Sequence, residues 1–143
     1  MQEMKLQGLK SNNPTDLLAF AESLEVENAS TMRKQGLIFG ILKKLAAQDV
    51  HFAYIKATEG EDFLDEDFRQ NWLAAKDAGI VPGAYHYFTL CKTGYEQANN
   101  FLTRIGLPSA NTLPPAVDLE FAGNCKARPT PEALHKELEI FLN

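Results

Sequence analysis

Cysteine and histidine are scarce in this sequence: two of the first, Cys91 and Cys125, and three of the second, His51, His86 and His135, spread over 143 residues. That leaves room for one disulfide and for no zinc site of ordinary composition, so neither a metal nor another cofactor is expected. Long apolar runs are missing as well. No segment approaches the length that spans a bilayer, and the amino terminus MQEMKLQGLK lacks the apolar stretch of a secretory signal. No membrane role is expected, and the chain as written reads as a cytoplasmic product. Clustered positive charge is the last shortage. Residues 1–48 carry six Lys/Arg against five Asp/Glu, and residues 49–143 eight against fourteen. The acidic second part argues against tight phosphate binding there, because counterion release needs grouped cations.

What is present is enough for a packed core, with 45% hydrophobic residues. The first fifty residues read as helical. Asn13-Pro14-Thr15-Asp16 is a helix start, followed at helical spacing by Leu17, Leu18, Phe20, Ala21 and Leu24. After a polar break at residues 28–30, Met32, Leu37, Ile38, Ile41, Leu42 and Leu45 mark an apolar face on a second helix from about Thr31 to Gln48. From His51 the period changes. Phe52 to Ala57 is strand-like, Glu59 to Asp67 an acidic loop, and Phe68 to Ala78 a helix closed by Gly79. The unit then recurs, with strands at Val81 to Phe88 and Pro115 to Leu119 and helices at Gly94 to Ile105 and Pro131 to Leu142. This predicts an α/β chain: a helical segment over residues 1–47, then three strand–helix units over 48–143 forming a parallel sheet with helices outside it.

In such a sheet the carboxyl ends of the strands share one rim, where ligands bind. The stretch LPPAVDLE, Leu113 to Glu120, ends there on two acids. Residues i and i+2 of a strand share a face, so Asp118 and Glu120 stand together, roughly 6–7 Å apart, while Val117 and Leu119 point the other way. Two carboxylates at that spacing can divide the work of cutting a glycosidic bond, one as proton donor and one as a charge that steadies the sugar cation. Taken alone, acids at a strand end are more often solvated loop residues.

FAYIKATEG, DEDFRQNWLAAKDAGIVPGAYHYF, QANNFL and LPPAVDLE together resemble consecutive blocks of glycoside hydrolase family 25, lysozymes of an irregular β/α barrel that cut peptidoglycan after N-acetylmuramic acid. The resemblance covers about residues 46–143. It implies that Glu120 is the general acid and that Asp118 stabilises the developing oxocarbenium ion or orients the acetamido group. It also places Tyr85, His86, Tyr87 and Phe88 along the sugar groove, where aromatic faces suit pyranoses; alternation in a buried strand would send some of the four into the core. Glu59 reads as a loop-holding residue. The surroundings of Cys91 and Cys125 resemble a subgroup in which such cysteines tie adjacent rim loops, implying a disulfide in an oxidising compartment.

The departures from that family are large. Its barrel has eight strands and needs on the order of 200 residues to close, whereas about ninety-five follow the helical segment here. An opening block of the type G-I-D-V-S-x-x-Q, whose Asp lies beside the acid pair, has no counterpart. In its place DLLAFAESLEVEN and MRKQGLIFGILK, within about residues 5–46, resemble the amino-terminal helical domain of the transcription terminator Rho. The two resemblances meet near Leu45 to Gln48 without a Gly/Ser linker, the pattern of a chimera. The expectation is a truncated parallel barrel of muramidase ancestry, acting on β-1,4 bonds of peptidoglycan glycan strands weakly or not at all. The alternatives are a folded chimera without catalysis and, behind it, a nucleic-acid-associated module led by the Rho-like helices. Exposed sheet edges favour pairing of copies. Nucleic-acid binding is not carried over from Rho, since Arg33, Lys34, Lys43 and Lys44 read as a solvated face.

Overall fold

The computed structural model describes residues 13–107 and 109–143; the first residues of the helical segment lie outside them. The chain forms two compact units, one running to Ala53 and including Arg69–Pro82, the other made of Tyr54–Phe68 and Gly83–Asn143. The division falls within two strands of one sheet.

In the first unit, helix α1 (Pro14–Ser23) begins where the sequence places it. Asn13 is extended and its side-chain oxygen accepts from the Thr15 amide at 3.0 Å, while Pro14 fills a position whose amide needs no partner. Leu17 and Ala21 are its buried residues. Helix α2 (Lys34–Ala47) buries Leu37, Ile38, Ile41, Leu42 and Leu45 of the expected apolar face, whereas Met32 lies before the helix and is exposed. The helix starts three residues later than the periodicity suggests. Asn28 is left-handed (φ 58°), Ala29–Thr31 form a 3-10 turn, and the Thr31 hydroxyl donates to the Asn28 carbonyl at 2.9 Å. That local bond competes with helix extension. Gly40 is a packing residue: a Cβ there would meet Val26 Cγ1 at 2.7 Å. Helix α3 (Phe68–Asp77) closes at Gly79 (φ 79°), with the Ile80 amide returning to the Ala75 carbonyl at 2.9 Å.

The sheet holds β1 (Phe52–Glu59), β2 (Phe63–Leu64), β3 (Val81–Tyr87) and β4 (Ala116–Asp118), in the order β2-β1-β3-β4. β3 and β4 are parallel, with Tyr85 opposite Ala116, His86 opposite Val117 and Tyr87 opposite Asp118. β2 corrects the expectation of three parallel strands. Within the acidic loop, Gly60 (φ 56°) lets the chain turn back, and Phe63 and Leu64 pair antiparallel with Glu59 and Thr58. Two residues, both exposed, carry no alternation from which a strand can be read.

Two helices complete the second unit. Thr93 caps α4 (Gly94–Ile105) through the Glu96 amide, and its hydroxyl donates to the Glu96 carboxylate at 2.7 Å. Thr130 caps α5 (Pro131–Leu142) through the Ala133 amide. The helices approach closely at Gly94, whose amide donates to the Glu137 carboxylate at 2.6 Å and where a Cβ would lie 2.0 Å from the Glu137 carbonyl oxygen. Phe101 of α4 and Phe141 of α5 stack at 6.1 Å. Among the described residues no helix is long and apolar enough to cross a membrane.

Candidate active site

Asp118 is the last residue of β4, and the Phe88 amide donates to its carbonyl at 2.9 Å. Its pairing with Tyr87 puts the two side chains on one face of the sheet. Asp118 is half-buried and Glu120, two residues on, is exposed. Tyr87 reports the company it keeps. Burial first, then the negative charges of Glu120, Glu59 and Asp118, push its phenol above the ordinary value. The phenol keeps its proton and donates to the Ala122 carbonyl at 3.3 Å. Lys56 adds a cation: its Nζ pairs with Glu59 at 2.6 Å and lies 5.3 Å from the Tyr87 ring centroid and 5.2 Å from that of Phe63. Tyr54 lies over Gly83, where a Cβ would meet its ring at 2.5 Å, and its hydroxyl donates to the Pro114 carbonyl at 3.1 Å.

The aromatic run of β3 divides by alternation. Tyr85 shares the Tyr87 face but is 9% exposed, whereas His86 and Phe88 point the opposite way and are buried. His86 Nδ1 is 2.7 Å from the Thr58 hydroxyl and Nε2 is 3.0 Å from Gln97 Oε1. Gln97 is oriented by its other bonds: Nε2 donates to the Thr89 and Lys92 carbonyls and Oε1 accepts from the Thr89 amide. Oε1 can only accept, so His86 carries its proton on Nε2, and Nδ1 accepts a hydrogen bond from the Thr58 hydroxyl. Burial pushes its pKa down, against smaller upward effects of Gln97 and Glu59. Phe88, Phe101 and Phe141 surround the ring at centroid distances of 6.4, 5.6 and 5.1 Å. The structure thus sets Asp118 beside Tyr87 on one face of the sheet, and packs His86 and Phe88 into the core on the other.

Cys91 and Cys125 are joined as a disulfide, Cα to Cα 6.2 Å, linking the segments that follow β3 and β4. Lys92 pairs with Glu61 nearby in sequence to that link. A hollow of about 250 Å³ is lined by Phe88, Leu90, Pro129, Ala133 and Leu134 among others, and neither Asp118 nor Glu120 lines it. Lys56 beside Tyr87, Asn124 beside the Glu120 carbonyl, and Tyr54 beside Gly83 and Pro114 carry no signal of these contacts in the sequence. Lys56 and Tyr54 sit in a run that reads only as strand, although their i, i+2 spacing puts them on one face. Asn124 follows a glycine in a loop, a position whose usual meaning is a turn.

The sequence matches glycosyl hydrolases family 25 over residues 32–143 and the Rho termination factor N-terminal domain over residues 8–50, so the matches overlap across the whole of α2. Lysozyme M1 of Streptomyces globisporus is 35% identical over 117 residues, covering 80% of this chain and 39% of that protein. Transcription termination factor Rho of Cereibacter sphaeroides is 36% identical over 83 residues, covering 57% of this chain and 18% of that protein. A family 25 glycosyl hydrolase structure from Bacillus anthracis superposes with a TM-score of 0.64 at 38% identity, covering 70% of this chain and 46% of the other. The chain therefore spans less than half the length of these relatives. With most of its residues matched to that hydrolase family and its mixed α/β fold shared with a solved member, the chain belongs to glycosyl hydrolases family 25.

Proposed function

We propose that the chain carries the acid pair of an N-acetylmuramidase, with Glu120 as proton donor to the glycosidic oxygen and Asp118 as the charge that stabilises the oxocarbenium ion or holds the acetamido group of a peptidoglycan strand. The observation that carries this reading is the register that sets Asp118 beside Tyr87 at the end of β4, two residues before Glu120. Tyr87, with Tyr85 behind it, offers a ring face to a pyranose, and Lys56 neutralises Glu59 so that it does not compete for the sugar cation.

The reading includes a partial barrel over 48–143 joined to a Rho-like helical segment over 1–47, and turnover far below that of a complete relative. A glycosidase must hold and distort several sugars, and the chain spans only 39% of lysozyme M1. The test is clearing of purified peptidoglycan by the parent chain and by Glu120→Gln. Slow clearing abolished by the substitution is the expected result; equal rates for the two proteins sink the acid assignment.

The overlap of the two family matches on α2 favours a second reading, a chimera that folds without catalysis. Cooperative melting with no clearing at any protein concentration selects it. Pairing of copies through sheet edges is a separate expectation, checked by light scattering at high concentration.

A further inference from the structure

We infer that Asn124 is a positioning residue for Glu120: its side-chain amide takes the place in the β3–β4 ladder that the Glu120 peptide groups would otherwise fill, and so frees the acid from the strand. This rests on Glu120 being the proton donor, and the tether itself stands on geometry alone.

In a parallel ladder every second residue of one strand donates to and accepts from the two residues flanking its partner. Asp118 is paired with Tyr87, and its carbonyl accepts from the Phe88 amide. The next step of the ladder would send the Glu120 amide to the Phe88 carbonyl and the Leu90 amide to the Glu120 carbonyl. Neither the Phe88 carbonyl nor the Leu90 amide, just beyond β3, is used that way. The Phe88 carbonyl accepts from Asn124 Nδ2 at 2.8 Å, and the Leu90 amide donates to Asn124 Oδ1 at 2.9 Å. The side-chain amide thus presents one donor and one acceptor to β3 as a peptide unit would.

Its remaining capacity holds the displaced loop. Nδ2 donates a second time, to the Glu120 carbonyl at 2.9 Å, and Oδ1 accepts a second time, from the Cys125 amide at 2.9 Å. All four bonding positions of the amide are filled, which fixes which atom is oxygen and which nitrogen. From the other side Gln97 grips the amide and carbonyl of Thr89, so residues 88–90 are held at consecutive peptide groups. Gly123 (φ 78°) permits the turn that brings Asn124 back to the strand. The direction of the Glu120 side chain is then set by this tether rather than by strand alternation with Asp118.

Two substitutions separate the bonds. Asn124→Asp keeps both acceptor contacts and loses both donors, including the one to Glu120; Asn124→Ala loses all four. Amide hydrogen exchange and backbone relaxation are measured on the full chain with the disulfide intact, beside peptidoglycan kinetics. In Asn124→Ala the Leu90 and Cys125 amides exchange at least tenfold faster and residues 119–124 gain mobility, while α4 amides keep their protection. In Asn124→Asp those two amides stay protected and mobility rises at Glu120. Both variants lower kcat, by about 10²-fold for a misplacement near 1 Å, with KM within twofold of the parent. Unchanged exchange and relaxation in both variants, or full kcat in Asn124→Ala, overturns the positioning role and leaves the acid assignment standing. Parent-like turnover in Glu120→Gln overturns the acid assignment, and the exchange data then decide the tether by themselves.

Discussion

The two faces of β3 are built from alternate residues of one seven-residue strand and have opposite characters. On one, His86 is fully buried, and the polar groups grouped with it, Thr58 and Gln97, are buried and hydrogen-bonded within the protein. On the other, Tyr87 is half-exposed among Asp118, Glu120, Glu59 and Lys56, whose charges stand in reach of water. Satisfied polar groups in a dry layer specify one arrangement and resist change. Charged groups left at the end of a strand contribute little to folding and remain available to a ligand. The difference separates scaffold from chemistry on a single strand.

The most damaging way to break the dry face is to part the helices that cover it. Gly94→Ala places a methyl group 2.0 Å from a backbone carbonyl of α5, which has no side-chain rotation by which to yield. A loss of about 3 kcal/mol or more is expected, a large share of the roughly 5–15 kcal/mol that holds a domain together, read as a lowered urea midpoint. His86→Leu comes next. It keeps an apolar filling but strands the Thr58 hydroxyl, for about 2–3 kcal/mol. Glu120→Gln on the opposite face serves as the contrast, with stability within about 0.5 kcal/mol of the parent and clearing of peptidoglycan lost. If His86→Leu and Glu120→Gln lower stability equally, the distinction between the faces fails.

Much of this was legible in the sequence, and the parts that were not share a cause. Helix starts at Asn13-Pro14 and Thr130-Pro131 are local chemistry and were readable. So was the strand that ends on Asp118, because LPPAVDLE is short, apolar and finishes on charges. β2 was not, since two exposed residues have no period; what pairs them is a turn at Gly60. The late start of α2 turned on one Thr31 hydroxyl bond. The YHYF run shows the limit most clearly. Alternation states that Tyr85 and Tyr87 oppose His86 and Phe88, but which pair meets the helices depends on contacts of His86 with Gln97, Phe101 and Phe141, eleven to fifty-five residues away. The same holds for Asn124, whose four partners lie on two segments of chain, those that follow β3 and β4.

Acid distinguishes the faces without any substitution. Burial lowers the pKa of His86 in the folded protein, whereas in the unfolded chain it binds a proton below about 6.5. Below that pH the unfolded state holds more protons, so stability is full above about 6.5 and falls as pH drops toward the depressed folded value. The slope from one such group is at most about 1.4 kcal/mol per pH unit. Charges near the ring act in both directions, Glu59 opposing the shift and Lys56 reinforcing it. Urea melts of the parent and of His86→Leu between pH 7.5 and pH 5 isolate the histidine: the parent loses stability more steeply, and parallel curves would count against a neutral buried His86.

The smallest effect is expected from Tyr87→Phe, and it sharpens what the open face is for. The phenol's bond to the Ala122 carbonyl is long, 3.3 Å, and the oxygen has water as an alternative partner. Removing it costs about 0.5–1.5 kcal/mol at most, while the ring under Lys56 and beside Asp118 is retained. If Tyr87 serves a sugar through its ring face, Tyr87→Phe clears peptidoglycan within about threefold of the parent, and Tyr87→Ala, which removes the face, raises KM. A loss in Tyr87→Phe as large as that in Tyr87→Ala would move the role from the ring to the hydroxyl. The phenol would then be holding the Glu120 loop through Ala122, and Tyr87 would join Asn124 among the groups that place the acid.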